Sequence, residues 1–378
     1  MSSSNPNPSS LPTDAPWNTP WPASELESVP ACPVCGSAER KILHEDLIDN
    51  VFYCAPGKWT SWRCLGCSGS YLDPRPSRAS IHLAYDIYYT HGEAKFKSSY
   101  AALSPLRKFR RRLVNGYTNW RFSTNELPSS RIGIILWALW PLRLRLEYEY
   151  RHLPQQVPEG GRVLDVGCAS GAFLVTARAC GWVVTGVEPD PKSIANAQSL
   201  DLDVHQGGLE VFDGKSNVFD VITICHVIEH VHEPLETLVD MYRLLKPGGQ
   251  LWLETPNIES VGHNYFGRNW RGLEPPRHLA VFSPRSLRMA LERAGFSGIQ
   301  YKPAPSPLRG IVAVSEALRQ GLPCGSSVKQ SVGSRAFVSV VSLIQVIWPA
   351  KRESVWPAKR ESMLIVAHKD KGRSEGLL

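Results

Sequence analysis

No apolar run in this 378-residue chain reaches the ~18 residues that a membrane-spanning helix needs. The two nearest, Ile132–Leu142 and Ala336–Trp348, are both too short. A secretory signal is missing as well. Met1–Glu25 has neither a basic start nor an apolar stretch, is rich in Ser, Pro and Asn, and reads as a disordered leader. Nor is there a disulfide framework. The nine cysteines include two tight pairs, which suit metal binding in a reducing compartment. These absences favour a cytoplasmic chain. The remaining openings are peripheral contact with a membrane surface and a structural metal.

The composition, 43% hydrophobic and 20% charged, allows a sizeable core and about two domains. The net charge of +7 is unevenly placed: Lys95–Arg151 holds 12 Lys and Arg against 3 acids. Five regions follow from the patterning: a leader (1–30), a cysteine-bearing, turn-rich segment (31–80), a basic and aromatic stretch (81–158), a core (159–300) and a C-terminal segment (301–378). The last of these contains the tandem repeat Trp348–Val355 and Trp356–Met363, which reads as a local duplication held in a loop.

In the core, apolar runs alternate with helical patterns, the mark of a parallel α/β sheet. Strands are expected at Arg162–Val166, Trp182–Val187, Phe219–Cys225 and Gln250–Glu254, with a further strand at Ser362–His368. Helices are expected at Gly171–Cys180, Pro191–Leu200, Pro234–Leu245 and Ser283–Ala294. The strands are continuously apolar, so both faces of the sheet are covered.

The first strand runs into a glycine loop, Asp165–Gly171. Gly167 and Gly171 permit a sharp turn and close approach to a ligand, and the next helix aims its free N–H groups at the same place. Such loops also occur for structural reasons alone. The pattern here is G-x-A-x-G and lacks the third glycine of a dinucleotide fingerprint. Glu188 ends the second strand 23 residues after Asp165, where a carboxylate can accept from both hydroxyls of a ribose.

Read in order, VLDVGCASGAFL (Val163–Leu174), GVEPD (Gly186–Asp190), FDVITICHVIEHVHEP (Phe219–Pro234) and LLKPGGQLWLETPN (Leu244–Asn257) resemble the class I S-adenosylmethionine-dependent methyltransferases, in their ubiquinone-biosynthesis-like branch. The resemblance covers roughly residues 158–300. It implies a doubly wound, Rossmann-like α/β sandwich with a mostly parallel seven-stranded sheet. It also implies that Asp165 and Gly167 hold the methionyl end of the cofactor, with Ala169 and Gly171 completing the loop. By the same resemblance Glu188 binds the ribose with Pro189 and Asp190 beside it, Gln206 and Gly207 lie near the adenine, and Cys225 and His226 line the path to the sulfonium. Ala169 departs from the family, which usually carries a glycine there, and its methyl group narrows the loop.

Three histidines are candidates for handling the acceptor's proton. His226 and His230 are four apart and would share a face if that segment were helical. His278 lies in GLEPPRHLAVFS (Gly272–Ser283) beside Arg277, which could bind an acidic substrate group. Each histidine could instead merely brace the fold. A metal on His226, His230 and His232 is a weaker option.

Cys32 and Cys35 form one C-x₂-C pair, Cys64 and Cys67 another, 28 residues apart. Four thiolates suit a closed tetrahedral structural zinc site, with a hairpin of Val51–Tyr53 and Lys58–Arg63 between the pairs and Cys54 left over. An N-terminal zinc ribbon ahead of this core resembles methyltransferases that tailor sugars, polysaccharides and natural products, so the acceptor is expected to be a small molecule or glycan precursor, methylated on oxygen or carbon. The basic aromatic stretch over 107–145 could pack as a helical insert or lie at an anionic membrane surface. A nucleic-acid-binding role for the ribbon and that stretch is the alternative from another functional class.

Overall fold

The computed structural model describes residues 15–85, 103–305, 308–322, 331–347 and 360–371, with 324, 326 and 328. The first fourteen residues of the expected leader, most of Ala84–Tyr89 and the repeat up to residue 359 lie outside the described residues.

Residues 15–30 are folded, a correction to that part of the expected disordered leader. Trp21 is buried against Trp59 with ring centroids 5.3 Å apart. Strand β1 (Leu26–Glu27) then pairs with β5 (Arg75–Pro76). Apolar contacts of this kind offset the entropy of ordering a Ser/Pro-rich segment. Between them lie β2 (Arg40–Leu47), β3 (Trp59–Cys64) and β4 (Ser70–Leu72). The hairpin partner of β3 is therefore β2 and not Val51–Tyr53. The Asp49 carboxylate accounts for this: it accepts from the backbone N–H groups of Phe52, Cys54 and Ala55 at 3.0–3.1 Å and winds the segment into a turn.

Two helices follow, α1 (Pro105–Phe122) and α2 (Trp140–Glu149), joined through a 3-10 turn at Arg131–Trp137. Gly116 and Gly133 let α1 and that turn pack backbone to backbone. A Cβ at Gly133 would sit 2.0 Å from the Leu113 carbonyl oxygen.

The core begins with β6 (Arg162–Val166), α3 (Ala172–Ala179), β7 (Val183–Glu188), α4 (Pro191–Gln198) and β8 (Asp203–Gln206). It continues through β9 (Phe219–Cys225), α5 (Pro234–Leu244), β10 (Leu245–Pro256) and the short α6 (Val261–Phe266). Next come β11 (Ala280–Val281), α7 (Pro284–Arg293) and β12 (Ser297–Lys302). The remaining elements are α8 (Leu308–Arg319), α9 (Val332–Ile347) and β13 (Ser362–His368). The seven-stranded sheet runs β12-β13-β10-β9-β6-β7-β8, with β13 antiparallel to both neighbours and the five strands from β10 to β8 parallel. This is the expected Rossmann-like sandwich. Strand order reverses between β6 and β9, and a ligand crevice opens at the carboxyl ends of strands at such a point.

The four-cysteine module is joined firmly to this core. Its sheet takes β11 from the core as an edge strand. Arg63 pairs with Glu259 at 2.6 Å, and Arg75 donates to the His232 carbonyl at 2.8 Å. The deepest link is Arg277, which is fully buried. Its guanidinium pairs with both Asp49 oxygens, donates to the Ala84 carbonyl at 2.7 Å and reaches Glu274 at 3.1 Å. Arg277 is thus a structural tie and not a substrate-binding group, a correction to the sequence expectation. The guanidinium also holds the Asp49 carboxyl below the usual carboxylate range, against its burial.

Breaking a buried pair from one side leaves an unmatched charge. Arg277→Met should therefore lower unfolding stability by about 3–5 kcal/mol, measured as a denaturant midpoint. Adding Asp49→Asn and Glu274→Gln to it should recover part of that loss, because no carboxylate then remains uncompensated. A triple variant weaker than the single one would contradict this account.

Candidate functional site

At the reversal point, Asp165 lies fully buried next to the last residue of β6. One of its oxygens pairs with Arg151 and accepts from the Thr223 hydroxyl at 2.8 Å; the other is buried with no hydrogen-bond partner. Arg151 also donates to the Thr223 hydroxyl at 2.9 Å, and its guanidinium lies 4.0 Å from the centre of the Phe173 ring. It comes from the loop after α2, where Arg151 and His152 both take positive φ, 46° and 50°. Burial pushes the Asp165 carboxyl upward while Arg151 and Thr223 pull against it.

The glycine loop leaves β6 with Gly167, Ala169 and Gly171 all at positive φ. Cβ atoms at Gly167 and Gly171 would strike Val227 and Leu202 at 2.4 and 2.3 Å, so both glycines are needed for packing as well as for the turn. Ala169 adopts its positive φ of 47° with a hydrogen bond in support: its N–H donates to Glu188 Oε2 at 2.9 Å. The other Glu188 oxygen accepts from the Asp190 N–H at 3.1 Å. Asp190 itself caps α4, accepting from Lys192 and Ser193 N–H groups at 3.1 Å, so its carboxylate is occupied; Pro189 sits between the two acids. Gln206 is the register partner of Glu188, and the Gly207 N–H donates to the Glu188 carbonyl at 3.1 Å. The residues expected around one ligand are thereby gathered at the ends of β6, β7 and β8.

Across the crevice, β9 ends at Cys225, whose sulfur is 3.9 Å from Glu254 Oε2 at the end of β10. Tyr148 donates to the same oxygen at 2.9 Å. The segment from His226 to His230 is a turn and not a helix, so the two histidines do not share a helical face. His226 has φ 54° and stays half exposed, with Nδ1 3.2 Å from the buried Glu229 and Nε2 3.8 Å from Glu254. Burial lowers its pKa, but the Glu229 and Glu254 carboxylates outweigh burial and lift it to about 9. Glu229 is held down to about 2, its burial overcome by His226.

His230 turns the other way. Its Nδ1 is 3.0 Å from the Arg277 carbonyl and 3.1 Å from the Tyr85 hydroxyl. His278 is buried, with Nδ1 2.8 Å from the Gly272 carbonyl and its ring 4.7 Å from that of His230. A carbonyl only accepts, so both rings carry a proton on Nδ1. Burial lowers the His278 pKa to about 4, so it is neutral at physiological pH. His232 faces the cysteine module, 3.0 Å from the Pro76 carbonyl, and takes no part in the cluster.

Among the described residues, three groups bring metal-ligand atoms within 4.8 Å of one another: Cys32, Cys35, Cys64 and Cys67; Cys225, His226 and Glu254; and Glu229, His230 and His278. In the first, Cys32 and Cys67 sulfurs are 3.6 Å apart and those of Cys35 and Cys64 3.4 Å. Cys54 stands apart from it, its sulfur 3.5 Å from both the Asp49 carboxylate and the Ala84 carbonyl.

Sequence reasoning missed Arg151, Thr223, Glu254 and Tyr148. Glu254 was findable, because a carboxylate closing a continuous apolar strand is the signal that singled out Glu188. Arg151 was counted only as one more charge of a basic stretch.

Residues 142–301 match the family described as "Methyltransferase domain". The chain is 32% identical over 190 residues to the ubiquinone biosynthesis O-methyltransferase of Xanthomonas axonopodis pv. citri, covering 44% of this chain and 76% of that protein. This chain belongs to the class I S-adenosylmethionine-dependent methyltransferases. Proteins of the same name from Maricaulis maris and Coxiella burnetii are each 32% identical, over 38% and 33% of this chain; it spans 64% and 56% of their lengths. A solved S-adenosylmethionine-dependent methyltransferase from Archaeoglobus fulgidus aligns at 20% identity over 67% of this chain and 97% of that one, with a TM-score of 0.40.

The methyltransferase's His226–Glu229 pair has a direct signature. Folding lifts the imidazole above its ordinary 6.5, so the pair's contribution to stability is complete below 6.5 and is lost as pH rises through about 9. In Glu229→Gln, His226 should titrate at clearly lower pH, followed by the imidazole Cε1–H shift in NMR. An unmoved titration would show that Glu229 does not control it.

Proposed function

We propose that this methyltransferase methylates a hydroxyl oxygen of a small molecule, with glycan precursors among the acceptors this chemistry fits. The observation that carries the reading is the His226–Glu229–Glu254 group at the ends of β9 and β10, directly across the crevice from Asp165 and Glu188. The similar proteins named above are O-methyltransferases, which supports it.

S-adenosylmethionine supplies a methyl carbon already activated by its sulfonium. The unpartnered Asp165 oxygen fits an ammonium donor such as its methionyl end. Glu188 would accept from the ribose hydroxyls, and Gly167, Ala169 and Gly171 let the backbone approach. Gln206 and Gly207 would border the adenine, and Cys225 the path between donor and acceptor. His226 would first lose its own proton to water through its exposed edge and, once neutral, take the proton from the acceptor hydroxyl, with Glu229 and Glu254 stabilising the imidazolium that results. His230, backed by the buried His278 ring, would help fix the acceptor's orientation. A nucleic-acid role is less well supported, since Arg40, Arg63 and Arg75 of the cysteine module are tied up in ion pairs with Asp73, Glu259 and Glu27.

Two variants test the two sides separately. Glu188→Ala should weaken S-adenosylmethionine binding by about 10–100-fold in calorimetry, the worth of hydrogen bonds to a charged group. His226→Gln should keep that affinity and lower turnover on a hydroxylated acceptor by about 10²–10⁴-fold. Turnover unchanged in His226→Gln would remove it as the base.

The four cysteines suit a structural zinc. A tetrahedron with Zn–S bonds of about 2.3 Å has sulfur–sulfur edges of about 3.8 Å, close to the 3.4 and 3.6 Å seen. One zinc per chain is expected by metal analysis. Cys64→Ser should lower both zinc content and thermal stability, whereas a chain isolated without zinc and unaffected by a strong chelator would refute the assignment.

A further inference from the structure

Among the described residues, eleven of the eighteen exposed large hydrophobic side chains fall between Leu106 and Leu142. Their exposure follows from how the segment packs. The 3-10 turn at Arg131–Trp137 is buried only at Gly133 and Leu136, the glycine nesting on the α1 backbone. Its remaining apolar side chains are thrown outward, Ile132, Ile135 and Trp137 being 71%, 60% and 54% exposed. On α1, Leu106, Phe109 and Leu113 lie on the same face as the buried Tyr117, so the apolar stripe that anchors the helix continues onto the surface.

Charge says what covers this face. Leu103–Arg145 carries nine Lys and Arg against one acid, Glu126. Arg107, Arg110, Arg112 and Arg131 are exposed around the apolar side chains. The Arg143 guanidinium lies 5.2 Å from the ring centres of both Trp137 and Trp140. A second copy would set cations against cations. Nucleic acid would meet the arginines but leave the isoleucines in water. An anionic bilayer matches both, with apolar side chains at the acyl boundary and arginines among phosphate headgroups.

We propose that the face formed by Arg131–Leu142 and the N-terminal half of α1 docks on an anionic lipid bilayer, Ile132, Ile135 and Trp137 entering the headgroup layer. The docked face is close to the chemistry. Tyr148, which donates to Glu254, is eight residues beyond Trp140 on the same helix, about 12 Å along its axis. The proposal rests on the surface alone and does not depend on which acceptor is used.

The test is flotation of the full chain with phosphatidylcholine vesicles, with and without phosphatidylglycerol, at low and high salt. Binding is expected on the anionic vesicles, weakening as salt rises. Ile135→Ser with Trp137→Ser should reduce it by about tenfold or more. Arg110→Glu with Arg112→Glu should remove most of its salt dependence. Unchanged S-adenosylmethionine affinity in all variants verifies folding and separates this result from the assignment of the donor site. Failure to float, equal binding to neutral vesicles, or full binding by the Ile135/Trp137 variant would each overturn the proposal. So would elution as a dimer that this variant makes monomeric, which would assign the face to a second copy.

Discussion

The buried contact of Arg277 with Asp49 and Glu274 is the constraint on which the His230–His278 side of this molecule rests. A fully buried guanidinium between carboxylates is costly to desolvate, and its worth lies in geometry as much as in net stability. The side chain fastens the turn before β3 to the loop before β11. The backbone carbonyl of the same residue receives the His230 ring, and the next residue is His278. Glu274 lies 3.6 Å from His278 Nε2 and is held down to about 2, its burial overcome by His278, Arg271 and Arg277. The cysteine module therefore does more than cap one end of the fold. Through Asp49 it fixes the loop that orients two histidines of the site.

The Asp165 side depends on a comparable intrusion. Asp165 and Thr223 are conventional strand residues, but the charge that answers them comes from Arg151, beyond the end of α2. Two consecutive residues with positive φ, each strained for a non-glycine side chain, turn the chain so that Arg151 points inward. The helical insert that presents an apolar face outward thus ends by contributing to the crevice, through Tyr148 on Glu254 and Arg151 on Asp165.

Much of this was legible in the sequence. Continuous apolar strands, the loop at Asp165–Gly171 and the carboxylate at Glu188 are local patterns, each set by the geometry of a few neighbouring residues. The strand at Ser362–His368 was equally visible, although its place between β10 and β12 was not, since register is a long-range property. The failures have one character. Val51–Tyr53 looked like a strand because its residues favour one, and the Asp49 carboxylate overrode that preference. Arg277 looked available to a substrate because its partner lies 228 residues away. Residues 15–30 looked disordered by composition, yet Trp21 found Trp59. In each case a specific side-chain contact overrode what composition favours: a local one at Asp49, and two distant in sequence that no window of neighbours contains.

The electrostatics of the crevice point in one direction. Burial pushes Asp165, Glu188 and Glu254 upward, so three carboxylates are held where their ionised forms are poorly solvated. Arg151 and His226 offset part of this, but Asp165 keeps an oxygen with no partner. A ligand bearing positive charge relieves that deficit, and a neutral or anionic one does not. The same field acts on His226, which is cationic at neutral pH because Glu229 and Glu254 outweigh its burial. An imidazole so placed is reluctant to give up its proton, but once free it is a stronger base than an ordinary histidine. On the proposed O-methylation, such a base suits an acceptor hydroxyl of modest acidity, engaged once the imidazolium has lost its proton.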